Sequence, residues 1–151
     1  MRAVIQRVNS ACVRVQGQVT GEIGGGLVVL VGIEEQDGRE DIEWLTAKIA
    51  GLRIFAGGDG APWARSVVEM AGGVLVVSEF TLHASTKKGT KPSWHRAAKQ
   101  DVAIPLYEQF VAGLNQFLAV PAATGRFGAM MEVELINDGP VTLILDTKQR
   151  D

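Results

Sequence analysis

Between Glu79 and Asp101 the chain carries no acidic residue, yet Lys87, Lys88, Lys91, Arg96 and Lys99 all fall there. Gly89, Pro92, Ser93, Trp94 and His95 are interleaved with them. Against 17 acidic and 15 basic residues overall and a formal charge of −2, this is a local concentration of positive charge in a chain with no general pull on polyanions. Lysine and arginine bind phosphates, glycine lets a backbone approach closely, and an aromatic ring stacks on a base. The segment thus has the chemistry to hold one end of a nucleic acid. A solvated basic loop is the plainer alternative, and composition alone favours it.

Two further segments offer reactive groups. Ser78-Glu79-Phe80-Thr81-Leu82 ends an apolar run and opens into the basic segment, and strand ends at loops are common places for catalysis. Ser78 or Thr81 has a hydroxyl to act as a nucleophile, with His83 two residues beyond Thr81 as a base. The competing role for such a hydroxyl is to satisfy a nearby backbone group. Asn137–Thr142, NDGPVT, carries an Asp-Gly turn signal followed by a proline that cannot donate to a hairpin ladder. By the physics of its residues it is a turn. Other chemistries are absent: there is no G-x-S-x-G elbow, phosphate-binding glycine loop or H-E-x-x-H pair. Cys12 is the one cysteine, which excludes an internal disulfide and CxxC metal sites, and its apolar alternating setting suits a structural thiol. With only His83 and His95 as imidazoles, neither a metal nor another cofactor is expected.

The elements that must position these groups follow from hydrophobic period. Val4–Val8 and Ala11–Val15 alternate as two strands, a turn at Gly17-Gln18 leads to a third stretch ending at Ile23, and LVVLVGI after Gly24-Gly25-Gly26 reads as a strand buried on both faces. Ile42, Leu45, Ile49 and Leu52 recur at helical spacing within Glu40–Leu52. A short strand at Arg53–Phe55, a second buried strand over Val74–Leu82 and a long loop from His83 to Lys99 come next. Leu106, Tyr107, Phe110, Val111, Leu114, Phe117 and Leu118 mark a second helix, with Pro105 suited to its first turn. Met131, Val133 and Leu135 alternate with glutamates, then NDGP turns the chain into a final strand, VTLILD. Strands outnumber helices and both helices connect strands, which gives one α/β domain with a mixed sheet. The alternating start reads as a strand and not as a signal peptide, and the longest apolar run is far short of the roughly 20 residues of a membrane span. A soluble, cytoplasmic protein is expected.

The opening MRAVIQRVNSACVRVQGQVTGEIGGGL, the stretches KIAGLRIF, VVSEFTL, TKKGTKPS, PLYEQFV and GRFGAMM, and above all NDGPVTLILD resemble the D-aminoacyl-tRNA deacylase family in order along nearly the whole chain. The resemblance implies a homodimer of layered β/β/α domains that hydrolyses the ester of D-aminoacyl-tRNA, and of glycyl-tRNA, as chirality proofreading in translation. It implies that the Gly139–Pro140 bond is cis and reaches into the partner's pocket, where two carbonyls hold the amino group and leave no room for an L side chain. It places Ser78–Leu82 at the ester, with main-chain groups near Phe80 and Thr81 polarising the carbonyl and Glu79 and Leu82 beside the substrate. Lys87, Lys88, Lys91, Trp94 and Arg96 then meet the 3′ end of the RNA. Water attacks with help from the 2′-hydroxyl of the terminal adenosine, and Thr81 as a covalent nucleophile is the minority mechanism.

The sequence departs from the family pattern at Glu79, where glutamine is usual, at Met130, where an acid is common, and at Trp94, where phenylalanine is usual. A carboxylate at position 79 repels RNA phosphate or attracts the substrate's ammonium. Two other functions stay open: a deacylase of relaxed chirality, and an inactive relative that only binds nucleic acid.

Overall fold

The first strand, β1, spans Arg2–Val15, and its burial explains why it reads as two. Met1, Ala3 and Ile5 are buried, then Val8, then Ala11, Val13 and Val15, so the period of two breaks on either side of Val8. Its pairing with the last strand slips at the same places, between Gln6 and Val8 and between Val8 and Ser10. A bulge adds a residue and bends a strand without ending it. The two strands expected from sequence are therefore one bent strand that passes from one hydrophobic cluster to another.

The structure, a computed structural model, describes residues 1–150. β2 (Gln18–Ile23), β3 (Gly26–Gly32), α1 (Arg39–Gly51), β4 (Gly73–Ser78), α2 (Gln100–Asn115), β5 (Ala123–Thr124) and β6 (Glu132–Asp146) follow in order, with a short 3-10 helix at Phe80–His83. Their strands form one mixed sheet. β1 pairs antiparallel with β6 along nearly its whole length, from Arg2↔Asp146 to Arg14↔Glu132. Its other edge is shared by β3, from Arg2↔Gly32 to Val8↔Gly26, and by β2, from Ala11↔Ile23 to Val15↔Gln18. β3, β4 and β5 run parallel. The sheet curls nearly into a barrel, bringing β2 against β5. A Cβ on Gly21 would stand 2.6 Å from the Thr124 carbonyl oxygen, so that closure needs glycine.

Alternation along β3 and β4 feeds two cores. Leu27, Val29, Val31, Val74 and Val76 face the helices, while Val28, Leu75 and Val77 face the inside of the curl with Val8, Ala11 and Val13. This double burial is why both strands are apolar without a break. On α1, Ile42, Leu45 and Ile49 are buried, as the helical spacing predicts. The Asp41 carboxylate accepts the Gly38 N–H at 2.9 Å and the Lys148 ammonium at 2.8 Å, tying the helix start to the chain end. Burial alone would raise the pKa of Asp41, but its bonds from Lys148, Thr147 and Gly38 outweigh that and hold it at about 2. α2 buries Ala103, Tyr107, Phe110 and Leu114, and it begins at Gln100, so Pro105 lies in its second turn and not its first. The expected strand at Arg53–Phe55 shrinks to a single bridge between Phe55 and Arg65.

The largest departure concerns NDGPVT. It does not join two separate strands: β6 continues across it, paired to β1 before and after, but between Gln6↔Thr142 and Val8↔Asn137 the register shifts and Asp138–Val141 bulge out unpaired, with the Gly139–Pro140 bond cis. Proline is tolerated there because Pro140 lies in the bulged stretch, where no ladder bond calls for its missing N–H.

Candidate active site

β4 stops at Ser78 because its neighbour β3 stops too, and the last link is the Glu79 N–H donating to the Val31 carbonyl at 2.8 Å. The chain then turns through the 3-10 helix Phe80–His83, so the strand expected to reach Leu82 ends four residues early. The turn is pinned by the Arg2 guanidinium, which donates to the Leu82 carbonyl at 2.8 Å while pairing with Asp146 at 2.8 Å. Neither the Phe80 nor the Thr81 N–H donates to a backbone carbonyl among the described residues.

Beside this turn lies a cavity of ≈ 580 Å³. Its walls come from Ser78, Glu79 and Phe80, from the return arm of the basic loop (Trp94 and Ala97–Lys99), from the start of α2, and from Phe127–Met131 with Val133. Phe80 is 55% exposed and Trp94 42%, and their rings meet edge to face, centroids 5.4 Å apart, at its mouth. The size and mainly apolar lining suit a small organic group such as a nucleoside. Thr81 points elsewhere: it is exposed, and its hydroxyl donates to the Glu79 carboxylate. Neither Thr81 nor Leu82 lines the cavity.

His83 does not serve Thr81. Its ring is 0% exposed, neither nitrogen has a hydrogen-bond partner of good geometry, and Nδ1 is 3.4 Å from the Glu34 carboxylate. Burial pushes its pKa below the ordinary 6.5, against the upward pull of the Gly32 backbone and Glu34. The ring thus lies inside the protein, where burial disfavours its charged form. Sequence spacing pairs it with Thr81 as strand neighbours, but the 3-10 helix turns the two apart.

The basic loop divides in two. Reciprocal bonds between Ser85 and Ser93, 2.9 and 3.0 Å, close off a tip that carries Lys87, Lys88 and Lys91, all exposed. Among the described residues none of these lysines makes an ion pair. Arg96 differs, because its guanidinium is held by Glu34 at 2.8 Å. Glu34 carries no motif that would single it out in the sequence.

Gly139 and Pro140 are exposed on β6 and do not line the cavity of their own chain. Their surroundings are well fixed. Arg7 pairs with the Asp138 carboxylate at 2.8 Å and donates to the Asp138 and Ile54 carbonyls. The Asn137 amide donates to the Arg7 carbonyl at 2.9 Å. A Cβ on Gly139 would fall 2.6 Å from the Asn137 side-chain oxygen.

Comparison with known proteins bears on this arrangement. The family described as D-Tyr-tRNA(Tyr) deacylase matches residues 4–146. D-aminoacyl-tRNA deacylase of Opitutus terrae is 57% identical over 151 residues, all of both chains. A solved structure described as c-Myc DNA Unwinding Element Binding Protein superposes with a TM-score of 0.91 at 39% identity, over 97% of this chain and 98% of that one. Another, of a probable eukaryotic D-amino acid tRNA deacylase, superposes with a TM-score of 0.81 over 95% and 97%, and at 17% identity that likeness is one of fold. With the strand end, the basic loop and the Gly-Pro segment all inside the matched span, this chain belongs to the D-Tyr-tRNA(Tyr) deacylase family.

Proposed function

We propose that this protein hydrolyses the ester of D-aminoacyl-tRNA, and of glycyl-tRNA, as a homodimer in which Gly139–Pro140 of each protomer completes the partner's site. It acts as a proofreading enzyme of translation in the cytoplasm. The observation that carries this reading is the separation within one chain. The cavity beside Ser78–Phe80 lacks Gly139–Pro140, while that pair is exposed on the edge strand β6. The face around it suits a second copy: Ile136 is 59% exposed and Ile144 70%, and β6 has one free backbone edge.

The chemistry follows from the groups present. The terminal nucleoside enters the cavity against Phe80 and Trp94, and the preceding phosphates meet Lys87, Lys88 and Lys91. The ester carbonyl is polarised by the N–H of Phe80, on the cavity wall, and by that of Thr81, next to it in the 3-10 turn. Water adds to the carbonyl carbon, the bond from that carbon to the ribose oxygen breaks, and the ribose oxygen takes up a proton. The 2′-hydroxyl of the substrate assists the attack, and no side-chain acid–base pair is required. Chirality is set by exclusion of the L side chain at the Gly139–Pro140 carbonyls.

Single-turnover hydrolysis of D-Tyr-tRNA and L-Tyr-tRNA tests this. A D/L rate ratio far above one is expected. A ratio near one means relaxed chirality, and tight tRNA binding with no hydrolysis means a nucleic-acid-binding relative.

A further inference from the structure

Glu34 lies just past β3, and four contacts join its neighbourhood to the return arm of the basic loop. Its Oε1 accepts from the Arg96 Nε at 3.0 Å and Nη2 at 2.8 Å. Its backbone bridges Ala97. The Ala98 N–H donates to the Ile33 carbonyl at 2.9 Å, and the Lys99 N–H donates to the Glu35 carboxylate at 2.9 Å. The arm held this way supplies Trp94, Ala97, Ala98 and Lys99 to the cavity wall. The Glu34 side chain is only 17% exposed, and its other neighbour is the buried ring of His83, 3.4 Å away. A carboxylate that far from water needs a cation, and Arg96 is the one that pairs with it.

We propose that Glu34 is a positioning residue for deacylation, clamping the Trp94–Lys99 wall through Arg96, and that Arg96 is thereby withheld from the RNA. The proposal rests on the deacylase reading of the site. If Arg96 turned to a phosphate, Glu34 would be left largely shielded from water without a cation, a penalty that the exposed lysines of the loop tip do not face. The basic segment therefore has two jobs, electrostatic at the tip and architectural at the return arm.

The test compares Glu34→Gln, the charge-conserving pair Glu34→Gln/Arg96→Gln and Glu34→Asp with the intact dimer. Single-turnover rate, half-saturation by D-Tyr-tRNA, the salt dependence of tRNA binding and a thermal melt are measured for each. In the double variant the salt slope is expected to match wild type, with half-saturation within about threefold and the rate down about tenfold or more. Glu34→Gln alone frees Arg96 and steepens the slope by about one phosphate contact. A double variant whose slope is shallower by about one contact overturns the proposal, because Arg96 then binds phosphate. A double variant that keeps the full rate overturns it as well, because the wall then needs no clamp. If the double variant melts below the assay temperature, Glu34→Asp decides: a reduced rate with an unchanged slope supports the clamp, and a wild-type rate sinks it. Wild-type protein that leaves D-Tyr-tRNA intact sinks the deacylase reading instead, while the salt slopes still decide whether Arg96 is withheld.

Discussion

Thr81 is the residue on which the mechanism turns. Its hydroxyl donates to Glu79, the contact a general base would make with a nucleophile, yet Thr81 lies outside the cavity wall. If backbone groups and the 2′-hydroxyl carry the reaction, Thr81→Ala keeps most of the single-turnover rate. A substrate ending in 2′-deoxyadenosine, esterified at its 3′-oxygen, is then cleaved far more slowly. A covalent Thr81 predicts the reverse, since loss of a nucleophile removes several orders of magnitude. The variant stays folded, because one exposed hydrogen bond contributes only about 1 kcal/mol. At the same scale, His83 makes stability depend on pH. Burial holds its folded pKa below the ordinary 6.5, so the unfolded chain takes up the proton first. Stability is full above about 6.5 and falls as the pH drops below it. His83→Leu removes this component, and chemical denaturation from pH 7.5 to 5 measures it. An unchanged slope would show that the imidazole takes up its proton equally readily in the folded and the unfolded chain.

At the scale of elements, the basic loop is a tip and an arm. Neutralising Lys87, Lys88 and Lys91 together removes up to three phosphate contacts, so tRNA binding weakens and its salt dependence flattens while the melting temperature holds. Unaltered affinity and slope would leave the tip as a solvated surface. The 3-10 helix after β4 has a different role. By ending the strand at Ser78 it turns Phe80 toward Trp94 and buries His83 while Thr81 stays exposed, a split between i and i+2 that two-residue alternation would have forbidden.

The whole molecule is a curled sheet with the cavity beside Ser78–Phe80 at one place and its Gly-Pro segment at another. That layout predicts a dimer. Ile136→Glu or Ile144→Glu is expected to give a folded monomer by light scattering at micromolar concentration, with deacylation reduced at least about a hundredfold, because charge at the centre of an apolar interface costs several kcal/mol. Full activity in a proven monomer would rule out a site completed across the interface.

Much of this was legible in the sequence. Double burial of β3 and β4 shows as unbroken apolar runs, helix faces show as a 3.6-residue period, and the basic loop shows as a stretch without acids. These are local signals, written by the environment of each residue in turn. Other features depend on partners distant in the chain. That β1 is one strand follows from its long pairing with β6, more than a hundred residues later. That the chain bulges at NDGP and then rejoins the same partner strand, so that one strand and not two spans the segment, follows from the same pairing. Arg96 reads like the other basic residues of the loop, and its pairing with Glu34 shows only in the fold, while Thr81 and His83 look like partners until the backbone rotates them apart. Composition and period record what each segment buries, whereas pairing and charge neutralisation are set by which segments meet, and only the tertiary structure decides that.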